Sequence, residues 1–438
     1  MRELIVIGGG LAGSEAAWQV ARRGMKVVLY EMRPKKFTEA HKTAHLGELV
    51  CSNSFRSHDL LSAPGLLKRE LQMADSLIMK AAEISRVPAG SALAVDRAVF
   101  SEFITTMISG NPNIRLVREE VIDLPDALCI IATGPLTTSP ITGALGRLIG
   151  QEHLFFYDAI APIVDADSID SSDVYFASRY GKGGDDYINC PMTKEEYAAF
   201  YAALLEADKI HVRDFEDERV FEGCMPVEVM ALRGRDTLRF GPMKPVGLPH
   251  PETGREPYAV VQLRSENNGK TAYNMVGFQT RLKWPEQKRV FRMIPGLCHA
   301  EFLRFGSVHR NTFINSPLSI EKDLSLKVKR DVYLAGQMTG VEGYIESTAI
   351  GLIAGIHAAR RIAGEEEPVE VPATTAHGSL IRYITSCSKG FQPSNINFGL
   401  FQSPACGNSG IRDKNLRKRM VVERAIRDWD GYVKRVGQ

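Results

Sequence analysis

The chain has 438 residues, 44% of them hydrophobic and 24% charged, and its 54 Lys and Arg nearly cancel 52 Asp and Glu to leave a formal charge of +2. That length predicts about two or three domains with sizeable cores, and the balance excludes a disordered or fibrous chain and one that is basic or acidic throughout. Any basic surface must be local.

Only four apolar residues, Leu4 to Ile7, precede the first glycines, so no secretory segment is read. No apolar run approaches the ~18 residues of a membrane span. Seven cysteines without a C-x-x-C pair argue against a disulfide framework or a zinc knuckle. The expected compartment is the cytoplasm, with no metal, no membrane and no stable protein partner.

In chain order, Glu3 to Ile7 reads as a buried strand, Leu11 to Arg23 as a helix ended by Gly24, and Lys26 to Glu31 as a second strand. Between strand and helix lies Gly8-Gly9-Gly10-Leu11-Ala12-Gly13, a G-x-G-x-x-G turn, with Glu31 eighteen residues beyond Gly13. Gly8 permits the tight turn, Gly10 lets the backbone approach a pyrophosphate, and Gly13 lets helix and strand pack closely. Glu31 is placed to accept from a ribose diol. By itself the pattern serves NAD, FAD or S-adenosylmethionine alike.

Two further short runs, Ala127 to Thr133 and Asp331 to Ala335, each stop at a glycine, Gly134 and Gly336, as strands feeding nucleotide-binding turns do. The parallel sheet therefore draws on distant parts of the chain. Between these runs, Thr193 to Glu196 has capping-box spacing for a helix through about Ala207, and Val220 to Thr280 reads as turn-rich and strand-like. The expected fold is α/β: a Rossmann domain at 1–182 and 300–438 that resembles the FAD-binding domain of glutathione-reductase-like flavoproteins, with an inserted α+β domain at 183–299. A helix is read from Tyr344 to Ile362.

Asp331 to Gly340, followed by Gly343-Tyr344 and a small-residue helix, resembles the second FAD motif of glutathione-reductase-like flavoproteins. On that likeness Gly336, Gln337, Gly340, Gly343 and Tyr344 belong to the flavin end of the cofactor site, with Gln337 replacing the usual Asp. No second G-x-G-x-x-G follows a strand, so NAD(P)H is expected to visit transiently as reductant.

Cys51, in Val50-Cys51-Ser52-Asn53-Ser54, and Cys224, in Gly223-Cys224-Met225-Pro226, sit in polar, turn-like sequence, unlike Cys129 in Leu128-Cys129-Ile130. Composition alone favours a packing role for either. With Glu48 to Ser57, Gly184 to Tyr187, Glu222 to Glu228 and His309 to Thr312 added to the two FAD motifs, nearly the whole chain resembles the folate- and FAD-dependent tRNA uracil-5-methyltransferases. The carboxymethylaminomethyl-uridine flavoproteins share both FAD motifs but carry a long helical C-terminal region without counterpart here.

The resemblance implies FAD as methylene carrier and hydride donor, methylenetetrahydrofolate as carbon donor, and the T-loop uridine of tRNA as acceptor. It also implies Cys224 and Cys51 as the reactive pair. The chemistry explains two thiols: carbon 5 of uracil becomes nucleophilic only after a thiolate adds to carbon 6, and a base must later remove the carbon 5 proton. Either cysteine suits either role; we assign Cys224 as nucleophile and Cys51 as base, with Arg56 and the flavin-facing helix terminus as candidate cationic neighbours. His309 is expected to stack on the pterin.

Met225 to Arg310 holds 14 Lys and Arg against 7 Asp and Glu, interleaved with Phe240, Tyr258, Phe278 and Trp284, a composition suited to a splayed RNA loop. Arg281 and Lys283 are the RNA contacts expected there. Arg412 to Gln438, with 9 Lys and Arg against 4 Asp and Glu, reads as a basic amphipathic helix, either docked on the core or facing RNA. The competing functions are a flavin-dependent NAD(P)H oxidase and a noncatalytic FAD-containing tRNA-binding protein.

Overall fold

The computed structural model describes residues 3–150, 154–210, 225–365, 367–386, 391–402 and 413–437. Its first layer is a five-stranded sheet in the order Val332–Leu334, Cys129–Ile131, Leu4–Ile7, Val27–Tyr30 and Ile114–Val117, with all neighbours parallel. Leu4 pairs with Val27 and Ile5 with Cys129. The central strands are apolar without alternation because both faces are covered, the usual state of parallel strands. As expected, the strand near residue 332 joins one near residue 129.

Helix Leu11–Ala21 lies against helix Tyr344–Ile362. A Cβ on Gly351 would sit 2.3 Å from the Ala12 carbonyl oxygen, and one on Gly355 would sit 2.7 Å from that of Ala16. Glycine at both positions is thus what lets the two helices run backbone against backbone.

A second, six-stranded antiparallel sheet has the order Tyr175–Phe176, Tyr187–Met192, Ala259–Ser265, Ala272–Met275, Ile163–Asp165 and Phe302–Arg304. Its strands span 163–304 and so draw on chain to either side of 183–299. A two-stranded ribbon, Leu154–Ile160 with Ser307–Phe313, connects the units. Helix Lys194–Glu206 has the expected capping box between Thr193 and Glu196.

The stretch read as strand-like contains two short helices, Val227–Leu232 and Thr237–Phe240, before its strands begin. Val227, Glu228 and Ala231 are buried at helical spacing, a short 3.6-residue period that the surrounding turns obscure. The C-terminal helix, Lys414–Val436, is docked: Ala425, Trp429 and Tyr432 are buried, and the Trp429 indole donates to the Glu70 carbonyl at 2.7 Å. Among the described residues no helix is long and apolar enough to cross a membrane.

Candidate active site

The glycine turn opens a cleft whose walls include Gly8, Gly9, Gly10, Leu11, Ala12, Glu31, Gly336, Gln337 and Tyr344. Gly8 has a φ of +104°, and a Cβ on it would lie 2.6 Å from the Ala132 carbonyl oxygen. One on Gly13 would lie 1.8 Å from the Gly8 oxygen. A Cβ on Gly10 meets nothing within 4 Å, because Gly10 faces the cleft. Gly10 is also the N-cap of helix Leu11–Ala21 and offers no side-chain cap, so the first-turn N–H groups are left for an anionic ligand. The residues present fit a dinucleotide.

Glu31 is held more tightly than its spacing suggested. One oxygen accepts from the Arg33 backbone N–H at 3.0 Å and Nε at 2.9 Å, the other from the Gly9 N–H at 3.0 Å and Arg33 Nη2 at 3.3 Å. Burial alone would raise this carboxyl, but Arg33 and Gly9 outweigh it and keep Glu31 below the usual range. Four donors fill its acceptor sites, so a ribose diol reaches Glu31 by sharing or replacing one of them. Arg33, only 2% exposed, is anchored in turn by Glu48 at 2.8 Å.

At the other end, Gln337 donates to Glu342 at 2.6 Å. Gly340 and Gly343 turn the chain just outside the lining, Gly340 against Phe391. Tyr344 begins its helix inside the cleft. Its hydroxyl oxygen accepts the N–H of Cys51 at 2.9 Å and of Ser52 at 3.1 Å, and burial, with the nearby Cys51 charge, pushes the phenol up.

Cys51 therefore sits on the rim, half-buried, one residue from the lining residue Val50. Arg97 bonds the Leu49 carbonyl at 2.7 Å and that of Cys51 at 3.2 Å, and pairs with Glu266 at 2.6 Å. Arg264 bonds Ser52 Oγ and Asn53 Oδ1, both at 2.9 Å. Arg97, Arg264 and Arg304 all lie within electrostatic reach of Cys51. The three are brought to this loop from a helix and two strands of the inserted sheet. Arg56 is committed elsewhere: its guanidinium pairs with the buried Glu346. Burial pushes the Cys129 thiol up to about 12 and the Cys190 thiol up as well, which fits the packing role of both.

Cys224 lies outside the described residues. The chain resumes at Met225, and Val227 N–H donates to the Gln279 carbonyl at 2.7 Å. His309 stands on the ribbon opposite Asp158; its side chain lies outside the described residues. Arg281 is 17% exposed and pairs with the buried Glu228 at 3.6 Å, whereas the half-exposed Lys283 pairs with Asp208 at 3.1 Å. Of the aromatics in this stretch, Phe278 is core, Tyr258 lies beneath Arg239, and Phe240 and Trp284 face solvent.

The family described as glucose inhibited division protein A matches residues 3–366. The chain is 57% identical to the methylenetetrahydrofolate-tRNA-(uracil-5-)-methyltransferase TrmFO of Moorella thermoacetica, over 98% of each chain. The chain belongs to this methyltransferase family. The Aquifex aeolicus member is 53% identical over 99% of this chain and 96% of its own. Aquifex aeolicus GidA, solved in its form II crystal, superposes with a TM-score of 0.72 at 18% identity, covering 99% of this chain and 73% of GidA. That likeness bears out the α/β fold with its parallel sheet.

Proposed function

We propose that the chain transfers a one-carbon unit from methylenetetrahydrofolate to carbon 5 of a uridine in the T-loop of tRNA, where it becomes a methyl group. The activity, with folate as donor and tRNA as acceptor, is the one for which its curated relatives are named. The observation that carries the reading is a thiol, Cys51, whose backbone Tyr344 and Arg97 fix at the rim of a dinucleotide cleft.

Gly8 to Gly13 would hold the pyrophosphate of FAD, with Glu31 at the ribose and Gly336, Gln337, Gly340, Gly343 and Tyr344 at the flavin end. FAD held there supplies a carrier for the methylene and the hydride that completes the methyl group. In the proposed mechanism Cys224 adds its thiolate to carbon 6 of uracil and so loads carbon 5 with electron density. Once carbon 5 has bonded the one-carbon unit, Cys51 takes the proton from carbon 5, and Cys224 leaves carbon 6 as a hydride completes the methyl group. Arg97 holds the Cys51 carbonyl and Arg264 holds Ser52, which fixes the loop that bears the thiol. His309 stacks on the pterin, Arg281 and Lys283 bear on the RNA, and NAD(P)H serves as external reductant in the cytoplasm. The cofactor-binding unit is 1–182 with 300–438, and 183–299 contributes to the RNA and folate site.

The test is nucleoside analysis of unmodified tRNA treated with the purified protein. New 5-methyluridine that requires methylenetetrahydrofolate supports the reading. Peroxide formation from NADH with no modified nucleoside returns the chain to an oxidase.

A further inference from the structure

We propose that the exposed face of Trp284 is a stacking platform for an unpaired nucleobase that flanks the reacting uridine of the RNA substrate. The inference rests on the function proposed above and adds a second contact to it. Trp284 is 60% exposed although it opens a helix whose Val290 and Phe291 are core. Its ring is not isolated: it stacks on Phe305 with centroids 5.4 Å apart and planes 16° apart, and Phe305 stacks on Phe302 at 5.4 Å and 22°.

The three-ring pile is held rigid from below by the buried Gln287. That amide donates to the carbonyls of Leu282 at 2.7 Å and Gly306 at 2.9 Å and accepts the Gly306 N–H at 2.8 Å, which locks the helix to the turn carrying Phe305. A preorganised aromatic face exposed to water is a surface on which a base can stack without ordering cost to the protein.

Charge points to a polyanionic occupant. From Arg281 to Arg292 there are five Lys or Arg against one Glu, of which Arg281, Lys283 and Arg289 pair with Glu228, Asp208 and Glu286. Lys288 lies 5.7 Å from the Phe305 centroid and has no carboxylate partner among the described residues. Position ties the platform to the proposed site: Phe305 lies between strand Phe302–Arg304 and strand Ser307–Phe313, which carries His309. A base on Trp284 would therefore flank the reacting uridine rather than be it.

The experiment uses the full-length, FAD-loaded protein and a T-arm RNA hairpin. The protein has three tryptophans; Trp429 is fully buried and the Trp18 indole is bonded to the Asp75 carbonyl, so quenching by RNA reports chiefly on Trp284. Hairpin binding should quench this emission. Trp284→Ala should raise Kd and methylation KM by about tenfold, the loss of one stacked base, while the salt slope stays unchanged because no phosphate contact is lost. Trp284→Phe should recover most of the affinity. Wild type that binds and methylates RNA, with Trp284→Ala indistinguishable from it, overturns the platform alone. So does unchanged affinity with altered sedimentation, which would make this face a contact between copies of the chain. Wild type that binds no RNA overturns both the platform and the function on which it rests.

Discussion

The hydroxyl oxygen of Tyr344 accepts the backbone N–H of Cys51 at 2.9 Å, so the helix that starts in the dinucleotide cleft also holds the residue bearing the rim thiol. Tyr344→Phe keeps the ring contact with Phe55 but removes the acceptor for two N–H groups, each costing about 1–3 kcal/mol when left unpaired and buried. We expect retained flavin and a methylation rate lowered about tenfold or more, since small misplacements at a reacting centre are expensive. Single-turnover rates measured beside the FAD absorbance check this. An unchanged rate would show that Arg97 alone sets the loop.

Two glycines of the turn should fail differently. Gly10→Val places its side chain in the open cleft, so the protein should fold with a wild-type circular dichroism spectrum and be colourless. Gly13→Ala drives a methyl into the Gly8 carbonyl, and should lower stability by about 1–3 kcal/mol through overpacking. Reconstitution with excess FAD should rescue neither colour in the first nor melting temperature in the second. Yellow Gly10→Val protein would move the cofactor away from this turn.

The turn could be read from sequence because its glycines are needed at fixed spacing. The surroundings of Cys51 could not. Arg97, Arg264 and Arg304 come from elements as much as 207 residues apart and meet only when the inserted sheet packs beside the loop at Leu49 to Asn53, whereas Arg56, near in sequence, turns to Glu346. Arg33 escaped notice for another reason: an acidic residue after the second strand signals a ribose, and nothing local shows that an arginine two residues on will saturate it. Arg281 looked like a surface cation because charge predicts exposure, yet Glu228 beneath it draws it inward.

Lys68 gives a pH dependence. Its ammonium donates to the Ser57 carbonyl at 2.7 Å, and burial lowers its pKa to about 7, with Glu346 partly offsetting. Between about 7 and the unfolded value near 10.4 the unfolded chain binds more protons, so this residue makes unfolding free energy rise with pH across that window; below 7 both states are charged and the burial penalty is present in full. Urea unfolding at pH 7 and pH 9 should show a smaller gain for Lys68→Met than for wild type. Equal gains would contradict the burial of this charge.

The most direct measurement uses RNA containing 5-fluorouridine at the target position, with Cys224→Ala and Cys51→Ala compared on a denaturing gel and their FAD content measured in parallel. Fluorine replaces the proton that the base must remove, so the adduct at carbon 6 persists once formed. With Cys224 as nucleophile and Cys51 as base, Cys224→Ala should give no covalent protein–RNA complex, while Cys51→Ala should still form one and yet fail to methylate ordinary RNA. A complex kept by Cys224→Ala and lost by Cys51→Ala would contradict that order, and full methylation by both variants would contradict the thiol mechanism itself.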